Sequence, residues 1–188
     1  GGAGRRDARQ QQRVPIERVV VTTCDCDSYF HPNHFEALAA AFVARPARAA
    51  RGRHERLWQP ATCFYPNIDE VPPLCTTRYT ALSVGFLGQL ANPIATHFPF
   101  AVYSVSLKLA ERAGYWNPEV IPEDWHMYLR CFYASAGRAR VEPLYMPVGC
   151  ECVASSTPLA SLGACYAQST RWQWGAIDVG YILVMSAR

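Results

Sequence analysis

Val19-Val20-Val21-Thr22-Thr23-Cys24-Asp25-Cys26-Asp27-Ser28 runs from five β-branched residues into two carboxylates one residue apart. Branching at Cβ favours extended backbone and packs well on a pleated surface, so the run predicts a buried strand that stops at the acids. Residues two apart on a strand point to the same side, which lets Asp25 and Asp27 face one point in space. Paired oxygen ligands of this kind suit a divalent cation. Open α/β sheets bind ligands just beyond the carboxyl ends of their strands, which is where this pair falls. Asp and Ser are also ordinary turn residues, and a polar turn after a strand accounts for the same letters.

Downstream, Pro32 and Asn33 are helix-start residues, and Phe35, Leu38, Phe42 and Val43 recur at helical spacing. A short amphipathic helix over 33–44 follows, giving a strand, site, helix unit. His31 and His34 suit capping or packing there better than metal ligation. Residues 45–56 alternate arginine with alanine and glycine and read as a solvated surface loop. Leu57-Trp58-Gln59-Pro60 restores order, while 63–73 is broken by prolines and reads as irregular, with at most one short strand.

A helix over 76–92 carries Leu82, Phe86, Leu87 and Leu90 and ends at Asn92-Pro93. Phe98 to Val105 reads as a strand, and Ser106 to Ala113 as a helix closed by Gly114. Pro122 opens the next helix, with Glu123 and Asp124 in its first turn and Trp125, Leu129, Phe132 and Tyr133 after them, up to Gly137. Acids in a first turn are favoured by the positive helix N-terminus alone, so each of these two also has a purely capping reading. Val141 to Pro147 predicts a short strand and Thr157 to Trp174 a helix. On that helix Gln168, Arg171 and Trp172 lie at i, i+3 and i+4, hence on one face. Arginine offers a planar fork of donors to a phosphate and tryptophan a flat apolar surface to a sugar or base; an Arg resting on a neighbouring Trp is the plainer alternative.

Length and composition bound these readings. A chain of 188 residues, half of them hydrophobic and 12% aromatic, buries one sizeable core. The net charge of +3 is uneven, because residues 1–18 and 45–56 hold ten arginines against three acids. The remainder is mildly acidic, which argues against a nucleic-acid surface. Eight cysteines include Cys24 with Cys26 and Cys150 with Cys152, but no C-x-x-C pair. Free thiols in a reducing compartment are therefore expected in place of a zinc framework. No secretory leader is visible, and the apolar tract Ile177 to Met185 is about half the length of a bilayer span. Residues 1–18 read as a disordered lead, 19–155 as the main domain and 156–188 as a terminal helix with a possible membrane-proximal segment.

Three signals in a fixed order carry a family resemblance. Asp25-Cys26-Asp27 at a strand end, Glu123-Asp124 before Trp125, and Gln168-x-x-Arg171-Trp172 together resemble the family 2 glycosyltransferases. The likeness is strongest to membrane-associated members such as cellulose, chitin and hyaluronan synthases, and it runs from about Val19 to Tyr181. It implies an α/β fold: a partial GT-A domain, with a mixed sheet flanked by helices, lacking the N-terminal nucleoside-binding part.

By that resemblance Asp25 and Asp27 bind a nucleotide diphosphate through Mg²⁺ or Mn²⁺. Asp124, with Glu123 beside it, matches the acid of the family's Thr-Glu-Asp motif, the general base for an acceptor hydroxyl; here Pro122 replaces the threonine. Gln168, Arg171, Trp172 and Trp125 become donor- and acceptor-binding groups. The implied reaction is an inverting transfer from a nucleotide sugar, a UDP-sugar above all, to a saccharide or lipid acceptor. Membrane association is expected through segments missing from this chain, with the catalytic part cytosolic and no nucleic-acid partner. Two other classes compete: a non-catalytic module that keeps the fold as a binding surface, and a cysteine-based metal domain.

Overall fold

The computed structural model describes residues 14–44, 52, 54–94, 96–173 and 177–187. Among the described residues five strands form one mixed sheet: β1 Val20–Thr23, β2 Ser28–Phe30, β3 Arg56–Phe64, β4 Tyr103–Ser106 and β5 Arg140–Cys150, in the order β1-β4-β3-β5-β2. β4 is antiparallel to both β1 and β3, β3 and β5 are parallel, and β2 is antiparallel to β5. β1 therefore runs in the same direction as β3, so the acids that follow β1 lie toward the carboxyl end of the central strand.

A bulge divides the sheet. Pro60 pairs with Leu144 but Ala61 pairs with Pro147, which leaves Tyr145 and Met146 outside the ladder. β4 pairs only with Leu57 and Trp58, before the bulge, and β2 only with Val148–Cys150, after it. The prolines of these central strands cluster at this irregularity, where proline's missing N–H and fixed φ are tolerated. The turn carrying Asp25 and Asp27 joins the two halves of the sheet.

Among the described residues six helices cover the faces: α1 His34–Val43, α2 Pro73–Ala91, α3 Leu107–Arg112, α4 Glu123–Ala134, α5 Pro158–Gln173 and α6 Ile177–Ser186. Alternation along β3 sends neighbouring side chains to opposite faces. Leu57 joins Tyr103, Leu109 and Met127 under α3 and α4, whereas Trp58 packs with Leu38 and Phe42 of α1. A third cluster, with Phe64, Tyr79, Val148 and Cys165, seats α2 and α5. Each fully buried large apolar side chain contributes roughly 1.5–3 kcal/mol. α3 closes at Gly114, whose φ of 76° is the left-handed C-terminal conformation that glycine adopts at little cost. A Cβ there would also meet Arg130 at 2.8 Å.

The mixed sheet flanked by helices matches the α/β expectation, and several local readings need correction, the first being that β1 is a half-buried edge strand and not the buried strand expected. β3, the nine-residue central strand, starts at the end of the expected loop, runs through the Leu57–Pro60 stretch read only as ordered, and ends inside the stretch 63–73 expected to be irregular with at most one short strand. Its apolar letters are interrupted by Gln59 and Pro60, and its partner β5 is distant in sequence, so no local period reports it. Glu55, assigned to the solvated loop, is buried and held by Arg112 and Arg138. The strand expected over 98–105 is confined to Tyr103–Ser106, and that over 141–147 extends to Arg140–Cys150.

Most of the lead expected over 1–18 lies outside the described residues. Its described end forms a 3₁₀ turn, Ile16–Arg18, where Glu17 pairs with Lys108 at 3.1 Å. Among the described residues no helix is long and apolar enough to cross a membrane.

Candidate active site

Asp25 and Asp27 sit in a tight turn between β1 and β2, in which the Ser28 N–H donates to the Asp25 carbonyl at 3.2 Å. Surrounding protein raises the Asp25 carboxyl above the usual range, Asp27 raises it further, and Arg171 opposes both. Beneath the turn Cys150 pairs with Ser28 across β5 and β2. Its thiol is pushed up to about 12, first by burial and then by the charge of Asp27. Cys24 and Cys26, on either side of Asp25, are exposed free thiols.

Glu123 and Asp124 open α4 directly after Pro122. Asp124 is held at both oxygens: Oδ1 accepts the Trp125 N–H at 2.7 Å and Oδ2 the Ala101 N–H at 3.1 Å. Ala101 has a φ of 53°, a left-handed conformation uncommon for a residue with a Cβ, and it turns this N–H toward the acid. Burial raises the Asp124 carboxyl; the two N–H groups lower it, and Asp25 raises it again. Glu123 is raised to about 7, chiefly by burial, then by Asp124, with a further contribution from Asp25.

Tyr103, at the first position of β4, lies between these acids and β1. It pairs with Thr23, is fully buried, and its hydroxyl accepts the Trp116 indole N–H at 2.7 Å. Burial raises its ionisation, Trp116 opposes, and Glu123 and Asp124 add to the rise.

α5 brings the third group. Arg171 influences Asp25 directly, whereas its neighbours turn toward α2. Gln168 Oε1 accepts the Tyr79 hydroxyl at 3.0 Å, and the Arg78 guanidinium lies 5.2 Å above the Trp172 ring. The mutual influence of Asp25 with Asp27, Glu123, Asp124 and Arg171 joins three segments far apart in sequence at one end of the sheet.

A family model described as Glycosyl transferase family group 2 matches residues 20–187. This chain belongs to glycosyltransferase family 2. No curated protein and no solved structure matches it. In a glycosyltransferase of this family, a nucleotide-sugar donor and an acceptor are the expected ligands, and the mixed sheet with flanking helices is consistent with a GT-A domain.

The expected site residues divide by surroundings. Asp27 and Arg171 act on the charge of Asp25, which acts in turn on Glu123 and Asp124, while Gln168 and Trp172 are engaged by α2. Trp125 stacks on Phe98, with ring centroids 5.1 Å apart and planes 21° from parallel, and remains 46% exposed. Asp25 and Asp27 each bring a carboxylate to the turn between β1 and β2. Among the described residues no group of three or more His, Cys, Asp or Glu is assembled to hold a metal. His31 Nδ1 accepts the Asn33 N–H at 3.2 Å, and His34 is buried against the rings of Phe30 and Phe35.

Sequence reasoning overlooked Ala101, Tyr103, Arg78 and Tyr79. Nothing local marks Ala101, whose role rests on its φ. Arg78 and Tyr79 carried no local signal either, since Thr76, Thr77, Thr80 and Ser83 put other polar groups around them on the same helix.

Proposed function

We propose that this glycosyltransferase transfers a sugar, with inversion, from a nucleotide-sugar donor to a hydroxyl of a saccharide or lipid acceptor at a membrane. A UDP-sugar is the proposed donor, held through Mg²⁺ or Mn²⁺. The observation that carries the reading is that the end of β1 bearing Asp25 and Asp27 pairs through Thr23 with Tyr103, two residues from the Ala101 N–H that holds Asp124, with Arg171 acting on Asp25 from α5. The closer likeness to membrane-associated polysaccharide synthases rests on the order of the three motifs.

Asp25 and Asp27 fit a cation of this kind. Their mutual repulsion in partly desolvated surroundings is relieved by a dication, and Mg²⁺ commonly takes one or two carboxylates with the rest of its shell from phosphates and water. When bound, the ion neutralises charge on the leaving diphosphate.

The protein's own groups supply the remainder. Arg171 donates to the diphosphate as negative charge develops there. Asp124, fixed by the Ala101 and Trp125 N–H groups, takes the proton of the acceptor hydroxyl as that oxygen attacks the anomeric carbon. Burial raises the basicity of the carboxylate for this task. A single displacement inverts the anomeric configuration and needs no carboxylate nucleophile. Trp125, half-exposed beside Asp124, offers an apolar face to the acceptor ring.

The test is donor turnover by the full chain with Mn²⁺ and a panel of UDP-sugars. Turnover lost in Asp124→Asn, with the thermal transition of the wild type retained, is the expected result. Turnover undiminished in that variant would refute the assignment.

A further inference from the structure

We propose that Tyr79, assisted by Arg78, is the positioning residue that sets the orientation of the Gln168 and Trp172 face of α5, an inference whose functional half rests on the reading above. Tyr79 is fully buried on α2 and sits between two elements. Its hydroxyl accepts the Val153 N–H at 3.0 Å, at the end of β5, and donates to Gln168 Oε1 at 3.0 Å. Val153 N–H can only donate, so it occupies an acceptor position of the hydroxyl; of the two remaining neighbours, Gln168 Oε1 at 3.0 Å and Cys165 Sγ at 3.5 Å, the amide oxygen is the nearer and far stronger acceptor and takes the hydroxyl proton. Receiving that proton requires the amide oxygen, which fixes the rotation of the carboxamide. Nε2, the donor end, is thereby left for a ligand oxygen.

The β5 end of this chain of bonds is itself clamped. Asn67 Nδ2 donates to the Cys152 carbonyl at 2.9 Å and Asn67 Oδ1 accepts the Cys152 N–H at 2.7 Å, so Val153 is held in place beside Tyr79. Arg78 secures the next turn of α5. Its Nη2 donates to Ser169 Oγ at 2.7 Å, and its guanidinium lies between the Tyr79 ring, 4.9 Å away, and the Trp172 ring, 5.2 Å away. Two successive residues of α2 thus govern three of the five positions from Gln168 to Trp172. Arg171 alone among the three motif residues is left to act on Asp25. The carboxamide donor and the indole are set by α2 instead of by the substrate, which lowers the ordering cost of binding.

The test uses the full chain and two independent readouts. Tyr79→Phe removes one oxygen and keeps the ring. Hydrogen exchange over α5 is expected to quicken at least threefold in this variant, a readout that needs no activity. In turnover assays kcat is expected to fall about tenfold while the KM for the donor changes less than twofold. Combined with Gln168→Ala, Tyr79→Phe should add no further loss, because it acts through that amide. Tyr133→Phe, which removes a hydroxyl bonded to Ser186 of α6, serves as the control and should leave both readouts unchanged. Unchanged exchange in α5 would overturn the positioning role whatever the reaction. Quickened exchange with full additivity against Gln168→Ala would overturn its action through the carboxamide. Absence of turnover in the wild type would count against the proposed function and leave the exchange result to decide the structural half.

Discussion

Carboxylates and arginines meet at both ends of this sheet, with opposite outcomes. Beyond the carboxyl end of β1, Asp25 is raised by the surrounding protein and then by Asp27; Glu123 is raised by burial, then by Asp124 and Asp25, and Asp124 by burial and then by Asp25; Arg171 offsets only part of the rise at Asp25. Before the amino end of β3, Glu55 receives two bonds from Arg138 Nε, at 3.0 and 3.1 Å, and one from Arg112 Nη1 at 3.2 Å. Its carboxyl is lowered, with the Arg138 hydrogen bonds as the leading cause. Glu55 ties β3 to α3 and to the segment after α4, and nothing about its charge remains uncompensated. The acids at the other pole keep raised carboxyls, and under the proposed function a cation and a proton complete them.

The largest effect that would sharpen this contrast is the loss of Arg171. Arg171→Ala should reduce kcat by about 10²–10³, the usual consequence of removing one donor aimed at developing charge, with little change in thermal stability. Equal loss of stability and activity would break the contrast.

Glu55→Ala should do the converse. Removing hydrogen bonds to charged partners should cost about 1.5–3 kcal/mol in denaturant unfolding while kcat per folded molecule holds. The pH dependence follows from the lowered carboxyl. The stabilisation is complete above the ordinary glutamate range and is lost as pH falls through the depressed folded value.

A smaller and opposite effect belongs to Glu123. Its folded value of about 7 lies above the ordinary one, so the folded state holds the proton more firmly. Its contribution is greatest at low pH and declines between the ordinary glutamate range and about pH 7. Glu123→Gln should flatten that part of the stability profile by about 1 kcal/mol, since solvent screens a half-exposed carboxyl. Thermal unfolding from pH 4.5 to 8 checks the sign; a steeper decline in the variant would be the wrong outcome.

The two poles also differ in how far the sequence announces them. The β-branched run before Asp25 and the Pro122-Glu123-Asp124 start of α4 are local signals, and both elements form where the letters place them, although β1 is a half-buried edge strand and not the buried one expected. Gln168, Arg171 and Trp172 share a face because helical spacing is local too. The Glu55 cluster was illegible, because its arginines come from α3 and from the segment after α4, and because Glu55 itself hides in an arginine-rich stretch. β3 was missed for a related reason: Gln59 and Pro60 break its period, and its parallel pairing with β5 is a long-range property. The engagement of Gln168 by Tyr79 likewise joins residues that no period relates.

Binding of Mn²⁺ in the presence of uridine diphosphate, followed by calorimetry in the full chain, tests most directly whether the acidic pole is one donor site. A single cleft predicts that Asp25→Asn and Asp27→Asn each weaken Mn²⁺ at least tenfold while Glu55→Gln leaves it unchanged. Mn²⁺ affinity that survives both aspartate substitutions would contradict it.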